Sequence, residues 1–135
     1  MSRTIFVGLF AAVLAGCQAA PEQLRIQPLP ADGQPLSYSD ALQRARYLAT
    51  SATEAFYIDK WPEVEAAAIG LEETARLLPK SPDVPAPLKA SLMSQSTALL
   101  ADVQTLRESA KKKDEDKTNE VLQRIHLRVR KMRPE

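Results

Sequence analysis

From Ser37 to Met132 apolar residues return every three or four positions, and the pattern breaks into four segments. The first opens at Ser37-Tyr38-Ser39-Asp40, the S-x-x-D form of an amino-terminal cap, with the carboxylate available to first-turn amides. Ala41, Ala45, Leu48, Ala52 and Ala55 follow at alternating spacings of four and three, flanked by Leu42, Ala49 and Phe56. That wide stripe predicts a helix of about 20 residues ending near Ile58. A second helix is predicted from Asp59-Lys60-Trp61-Pro62, because Pro62 suits a first turn, where no amide hydrogen is needed. Val64, Ala67, Ala68, Leu71, Ala75 and Leu78 form its stripe, and Pro79 closes it.

Residues 79–87 carry four prolines and read as a loop, with Pro87 placed to enter the first turn of a third helix. Leu88, Leu92, Leu99, Val103, Leu106 and Ala110 hold heptad phase there, and Ser96 is the one polar break. Lys111, Lys112 and Lys113 fall where a helix carboxyl end favours cations, and Asp114, Glu115 and Asp116 where a helix start favours anions. The switch of sign predicts a tight corner. A last helix carries Thr118, Val121, Leu122, Ile125, Val129 and Met132 and stops at Pro134. The chain is thus expected to be all-α, with residues 37–135 forming an antiparallel up-down-up-down four-helix bundle. Small inner residues on the first two helices would face large ones on the last two. Gly70, four residues after Ala66, extends the small face; close packing within the bundle accounts for it more simply than self-association does.

The segment before the bundle has a different pattern. Arg3 precedes a 12-residue uncharged apolar run, Ile5 to Gly16, too short to span a bilayer and suited to a signal-peptide core. The run ends in Leu14-Ala15-Gly16-Cys17, which resembles the lipobox of bacterial lipoprotein precursors. The resemblance implies a signal peptide over residues 1–16, a diacylglycerol thioether on Cys17, and acylation of the new amino terminus. Gln18 rather than Asp at the next position implies, by the same resemblance, an outer-membrane anchor facing the periplasm. Two or three acyl chains, at about 0.8 kcal/mol per buried methylene, would hold such a protein permanently at a membrane. Residues 17–36 then read as a tether, since Pro21, Pro28, Pro30 and Pro35 exclude a continuous helix. Extended at roughly 3.1 Å per residue, it would reach about 60 Å.

Composition narrows the function classes. Eighteen Lys and Arg against 17 Asp and Glu give no case for a nucleic-acid partner. A single Cys excludes an internal disulfide or a multi-cysteine metal site. Charge is uneven along the chain, at +4 over residues 107–135 and −4 over residues 17–106. Glu63, Glu65, Glu72 and Glu73 on the second helix are expected to compensate the basic last helix across the bundle surface. The alternative is that Arg124, Arg128 and Arg130 form a surface for an acidic partner or for anionic lipid.

Candidate chemistry is sparse. The four glycines are scattered, only His126 is present, and the carboxylates are expected on solvated faces. No set of nucleophile, base and orienting group assembles, so the chain is expected not to be an enzyme and to need no cofactor or metal. The helix lengths, Trp61 near the start of the second helix, and Ala110-Lys111-Lys112-Lys113-Asp114 before a basic last helix resemble the cytochrome c-prime type of periplasmic bundle. The Cys-x-x-Cys-His haem attachment of that family is missing, since Ile125-His126-Leu127-Arg128-Val129 stands near its place, and this excludes covalent haem. Non-covalent haem would need His126 with a thioether, yet Met93 and Met132 lie at unsuitable levels. Phe56, Tyr57 and Trp61, with Tyr47, gather near the first corner, either closing the bundle or lining a small pocket. The leading expectation is a lipid-anchored envelope protein whose bundle acts as a binding, scaffold or accessory module for an unidentified protein partner. A bundle taking non-covalent haem or a small apolar ligand is the alternative.

Overall fold

The structure is a computed structural model that describes residue 29 and residues 34–134; the expected signal peptide, Cys17 and most of the expected tether lie outside the described residues. Four helices make an all-α bundle: α1 (Tyr38–Tyr57), α2 (Trp61–Leu77), α3 (Lys89–Lys111) and α4 (Glu115–Lys131). Ser37 caps α1, its Oγ accepting the Asp40 amide hydrogen at 3.1 Å, and Asp114 caps α4 by accepting from the Lys117 amide at 3.0 Å. The α2 helix stops at Leu77, and Pro79 falls in a 3₁₀ turn, Leu78–Lys80. Pro87 lies just ahead of α3, in a second 3₁₀ turn, Ala86–Leu88, because α3 becomes regular only at Lys89.

Neighbouring helices meet in opposed register. Arg44 donates from Nε to the Thr74 hydroxyl at 3.1 Å, and Leu48, one turn further along α1, packs on Gly70, one turn back along α2. On the other side of the bundle Tyr38 at the start of α1 donates its hydroxyl hydrogen to the Met132 carbonyl at the end of α4. The loop between α2 and α3 is tied to the same end, since the Asp83 carboxylate accepts the Tyr38 amide hydrogen at 2.7 Å. Burial raises the Tyr38 phenol above its ordinary value.

The core follows the predicted stripes. Ala41, Ala45, Ala49 and Ala52 of α1 are fully buried, as are Val64, Ala68, Leu71 and Ala75 of α2. Leu99, Val103 and Leu106 of α3 and Val121 and Ile125 of α4 are the larger buried residues opposite. A Cβ on Gly70 would sit 3.1 Å from both methyl carbons of Leu48, so Gly70 serves packing inside the bundle, whereas Ala66 is exposed. Thr118 and Ser109 are buried polar residues at the last corner, and they satisfy one another: Thr118 donates to Ser109 at 2.9 Å, and Ser109 to the Leu106 carbonyl at 3.1 Å.

Both tight corners close in the same way. After α1 the Lys60 amide returns to the Ala55 carbonyl and the Asp59 amide to Phe56; after α3 the Asp114 amide returns to Ser109 and the Lys113 amide to Ala110. These are Schellman closures, whose pivot residue must take a positive φ. Here the pivots are Asp59, at φ 57°, and Lys113, at φ 52°. Aspartate tolerates that region, whereas lysine gains nothing there and meets its own carbonyl oxygen. Lys113→Gly is therefore expected to raise unfolding stability by about 1 kcal/mol, and Asp59→Gly by less. Urea denaturation of the two variants checks the order; a destabilised Lys113→Gly would contradict the strain.

Candidate functional site

The basic face of α4 divides into two groups of arginines with different surroundings. Arg124 and Arg128 stand four residues apart, one above the other on a helix, and both reach the same point on α3. That point is Asp102. Arg124 donates from Nε to Asp102 Oδ1 at 3.0 Å, and Arg128 donates from Nε to Oδ2. Arg124 also donates to Glu120, one turn back on its own helix. The Asp102 side chain is only 9% exposed, against 35% and 39% for its two arginines. The Asp102 carboxylate beside Arg124 pushes that guanidinium further above an already high value.

Two expectations need correction here. Carboxylates were expected only on solvated faces, but Asp102 is buried. It lies three residues after Leu99 and four before Leu106, which puts it on the core stripe of α3. Compensation of α4 was expected from the glutamates of α2; it comes instead from α3 and from Glu120 within α4. Of that α2 set, Glu72 binds across to α3, accepting from Arg107 at 2.7 Å, and within its own helix from Arg76 at 2.7 Å. Hydrogen bonds from Arg76 and then Arg107 hold the Glu72 carboxyl below its usual value.

Arg130 belongs to the second group. It lines a cavity of about 260 Å³ together with Arg46, Thr50, His126, Val129 and Arg133, between α1 and α4. These two helices meet more loosely than the sequential pairs do. His126 is exposed, and its Nε2 lies 2.9 Å from the Thr53 hydroxyl of α1. Thr53 already donates its hydrogen to the Ala49 carbonyl at 2.9 Å, so the Thr53 oxygen accepts and His126 Nε2 carries the hydrogen. Arg133 stands three residues after Arg130 among the basic residues that end the chain's last helix, so the sequence already places those two together; Arg46 was missed, because only the apposition of α1 and α4 brings it to them.

The aromatic corner is graded in exposure. Trp61 is buried and meets the Phe56 ring edge-on at 5.6 Å between centroids; Phe56 meets Tyr57 at 5.5 Å. Tyr57 is 72% exposed, and Ile58 beside it 60%. The two thioethers are far apart in environment: Met93 is 65% exposed on α3, and Met132 is fully buried. Among the described residues no group of three His, Cys, Asp or Glu is arranged to hold a metal ion, and no helix is long and apolar enough to cross a membrane. The chain matches no family model, no curated protein and no solved structure.

Asp102→Asn keeps the shape but leaves two guanidiniums around a neutral amide, so a loss of about 2 kcal/mol is expected. In a double-mutant cycle with Arg124→Gln the losses should be less than additive, because both changes remove one interaction; full additivity would deny the coupling. The depressed Glu72 carboxyl carries a pH signature. Its contribution is complete above the ordinary carboxylate value of 4.5 and is lost as pH falls from there through the lowered folded value. Glu72→Gln should accordingly flatten the acid limb of a stability profile measured between neutral pH and about pH 3. An acid limb of unchanged slope would assign the acid sensitivity to other groups.

Proposed function

We propose that the chain is a lipid-anchored protein of the bacterial cell envelope, held at the membrane through Cys17, whose four-helix bundle works as a non-catalytic binding module. The observation that carries this reading is Leu14-Ala15-Gly16-Cys17 directly after the apolar run Ile5 to Gly16, with the only Cys of the chain in the acylated position. The spacing of parts is consistent with it: a proline-interrupted segment separates Cys17 from the first helix cap at Ser37. The bundle supports a binding role through its unpaired surface groups, since the buried ones are used in packing and ion pairing. The outer membrane is the proposed site, on the strength of Gln18.

The test is fractionation of cells expressing the full chain. Wild-type protein should sediment with membranes, resist extraction by high salt and dissolve in detergent. Cys17→Ala should appear in the soluble fraction. Equal membrane retention of both would remove the anchor and, with it, this reading.

A further inference from the structure

We propose that the groove between α1 and α4 is a binding site for a phosphate group. Eight arginines lie among the described residues; Arg44 is bonded to Thr74, and the other seven fall into two sets with different partners. Arg76 is bonded to Glu72, Arg107 to Glu72, Arg124 to Asp102 and Glu120, and Arg128 to Asp102. Arg46, Arg130 and, just past the end of α4, Arg133 make no ion pair among the described residues, and these three line one cavity. Arg76 and Arg124 each have a glutamate four residues before them, and Arg107 and Arg128 find a carboxylate on the neighbouring helix, whereas Arg46 and Arg130 have no carboxylate three or four residues away and none across the groove.

The lining therefore holds three cations, a histidine and the Thr50 hydroxyl, and no carboxylate. Like charges gathered in one concavity repel each other, and an anion seated among them relieves that repulsion. A guanidinium presents a planar fork of donors, and three forks from two helices exceed what one carboxylate can accept. A tetrahedral phosphate, with acceptor oxygens on every side, matches that supply. The cavity, about 260 Å³, is just below the usual range for small-molecule sites and suits a phosphate ester no larger than a headgroup. Val129, the buried member of the lining, gives the ester's carbon part an apolar wall.

Position favours access to a phosphate at a membrane surface or in free solution. Arg133 follows Met132, whose carbonyl is bonded to Tyr38, and Tyr38 follows the point where the preceding segment enters the bundle. The groove thus runs from Thr50 and His126, midway along their helices, to Arg133 at the end of the bundle where the preceding segment joins. The inference itself does not require the anchor.

The experiment uses the Cys17→Ala chain, so that vesicle binding cannot come from acylation. It is titrated with inorganic phosphate and with glycerol 3-phosphate while arginine side-chain resonances are followed by NMR. It is also sedimented with phosphatidylglycerol vesicles and with phosphatidylcholine vesicles. Saturable one-site binding is expected, weakened about tenfold by Arg46→Gln and by Arg130→Gln separately and by less than twofold by Lys111→Gln at the far corner. Because Arg46 and Arg130 are exposed and hold no structural pair, the variants should keep the wild-type circular dichroism spectrum. Saturation by the soluble compounds without a vesicle preference assigns a soluble phosphate ester. A phosphatidylglycerol preference that glycerol 3-phosphate competes away assigns a lipid headgroup. Absence of saturable binding in both arms, or binding that survives both arginine substitutions, overturns the proposal.

Discussion

The bundle depends on one volume constraint: the inner face of α1 is almost entirely alanine, so whatever packs on it must come close. Buried Ala41, Ala45, Ala49, Ala52 and Ala55 contribute little apolar area each, and they stabilise the fold only if α2 approaches without a gap. Gly70 permits that approach by giving Leu48 of α1 a place to lie. With α1 committed to α2, the space on the other side is filled by Leu99, Val103, Leu106, Val121 and Ile125, which carry most of the hydrophobic gain. The looser contact is the one between α1 and α4, and the groove lies along it.

Charge is partitioned by the same geometry. A buried carboxylate is costly unless its partners satisfy it, and Asp102 is tolerable on the α3 stripe because two guanidiniums one helical turn apart reach it from α4. This fixes the register between α3 and α4, since a slide of one turn would leave one arginine without its oxygen. It also withdraws Arg124 and Arg128 from any external role they would have had as free cations. Glu72 does for α2 and α3 what Asp102 does for α3 and α4, though from a more solvated position, where screening makes each pair weaker. Helices α2 with α3 and α3 with α4 are thus cross-tied by ion pairs, α1 with α2 by the Arg44–Thr74 hydrogen bond, and α1 with α4 by the Tyr38 and His126 hydrogen bonds.

Much of the fold was legible because local signals agreed with the global one. The Ser37 cap, Pro62 at a helix start and the change from Lys113 to Asp114 each mark a boundary whose reason is confined to a few neighbouring residues. Where a boundary depended on the meeting of distant segments, local reading fell short, as with the 3₁₀ turns around the Pro-rich loop. The site shows the same division. Ser96 was visible as polar on a stripe, yet Asp102, on the same stripe, was counted with the solvated carboxylates because charge outweighed position. Compensation of α4 by α2 failed for a topological reason: α2 and α4 do not pack on one another. Arg46 has no local signature, and its grouping with Arg130 and Arg133 exists only once two helices remote in sequence lie side by side.

The two ends of the bundle are therefore not equivalent. The corner between α3 and α4 balances three lysines against three carboxylates within a few residues, and its net field is small a short distance away. The opposite end brings together Arg130, Lys131 and Arg133 at the finish of α4, against Asp40 in the first turn of α1 and Asp83, which accepts from the Tyr38 amide. Such an end carries a positive field into solvent, and it is also the end where the preceding segment joins. A bundle tethered there would meet a negatively charged surface with its basic end first, whereas attachment at the balanced corner would have produced no orientation. The direction follows from where Tyr38 and Met132 touch, and so from the packing of α1, before any property of the tether is considered.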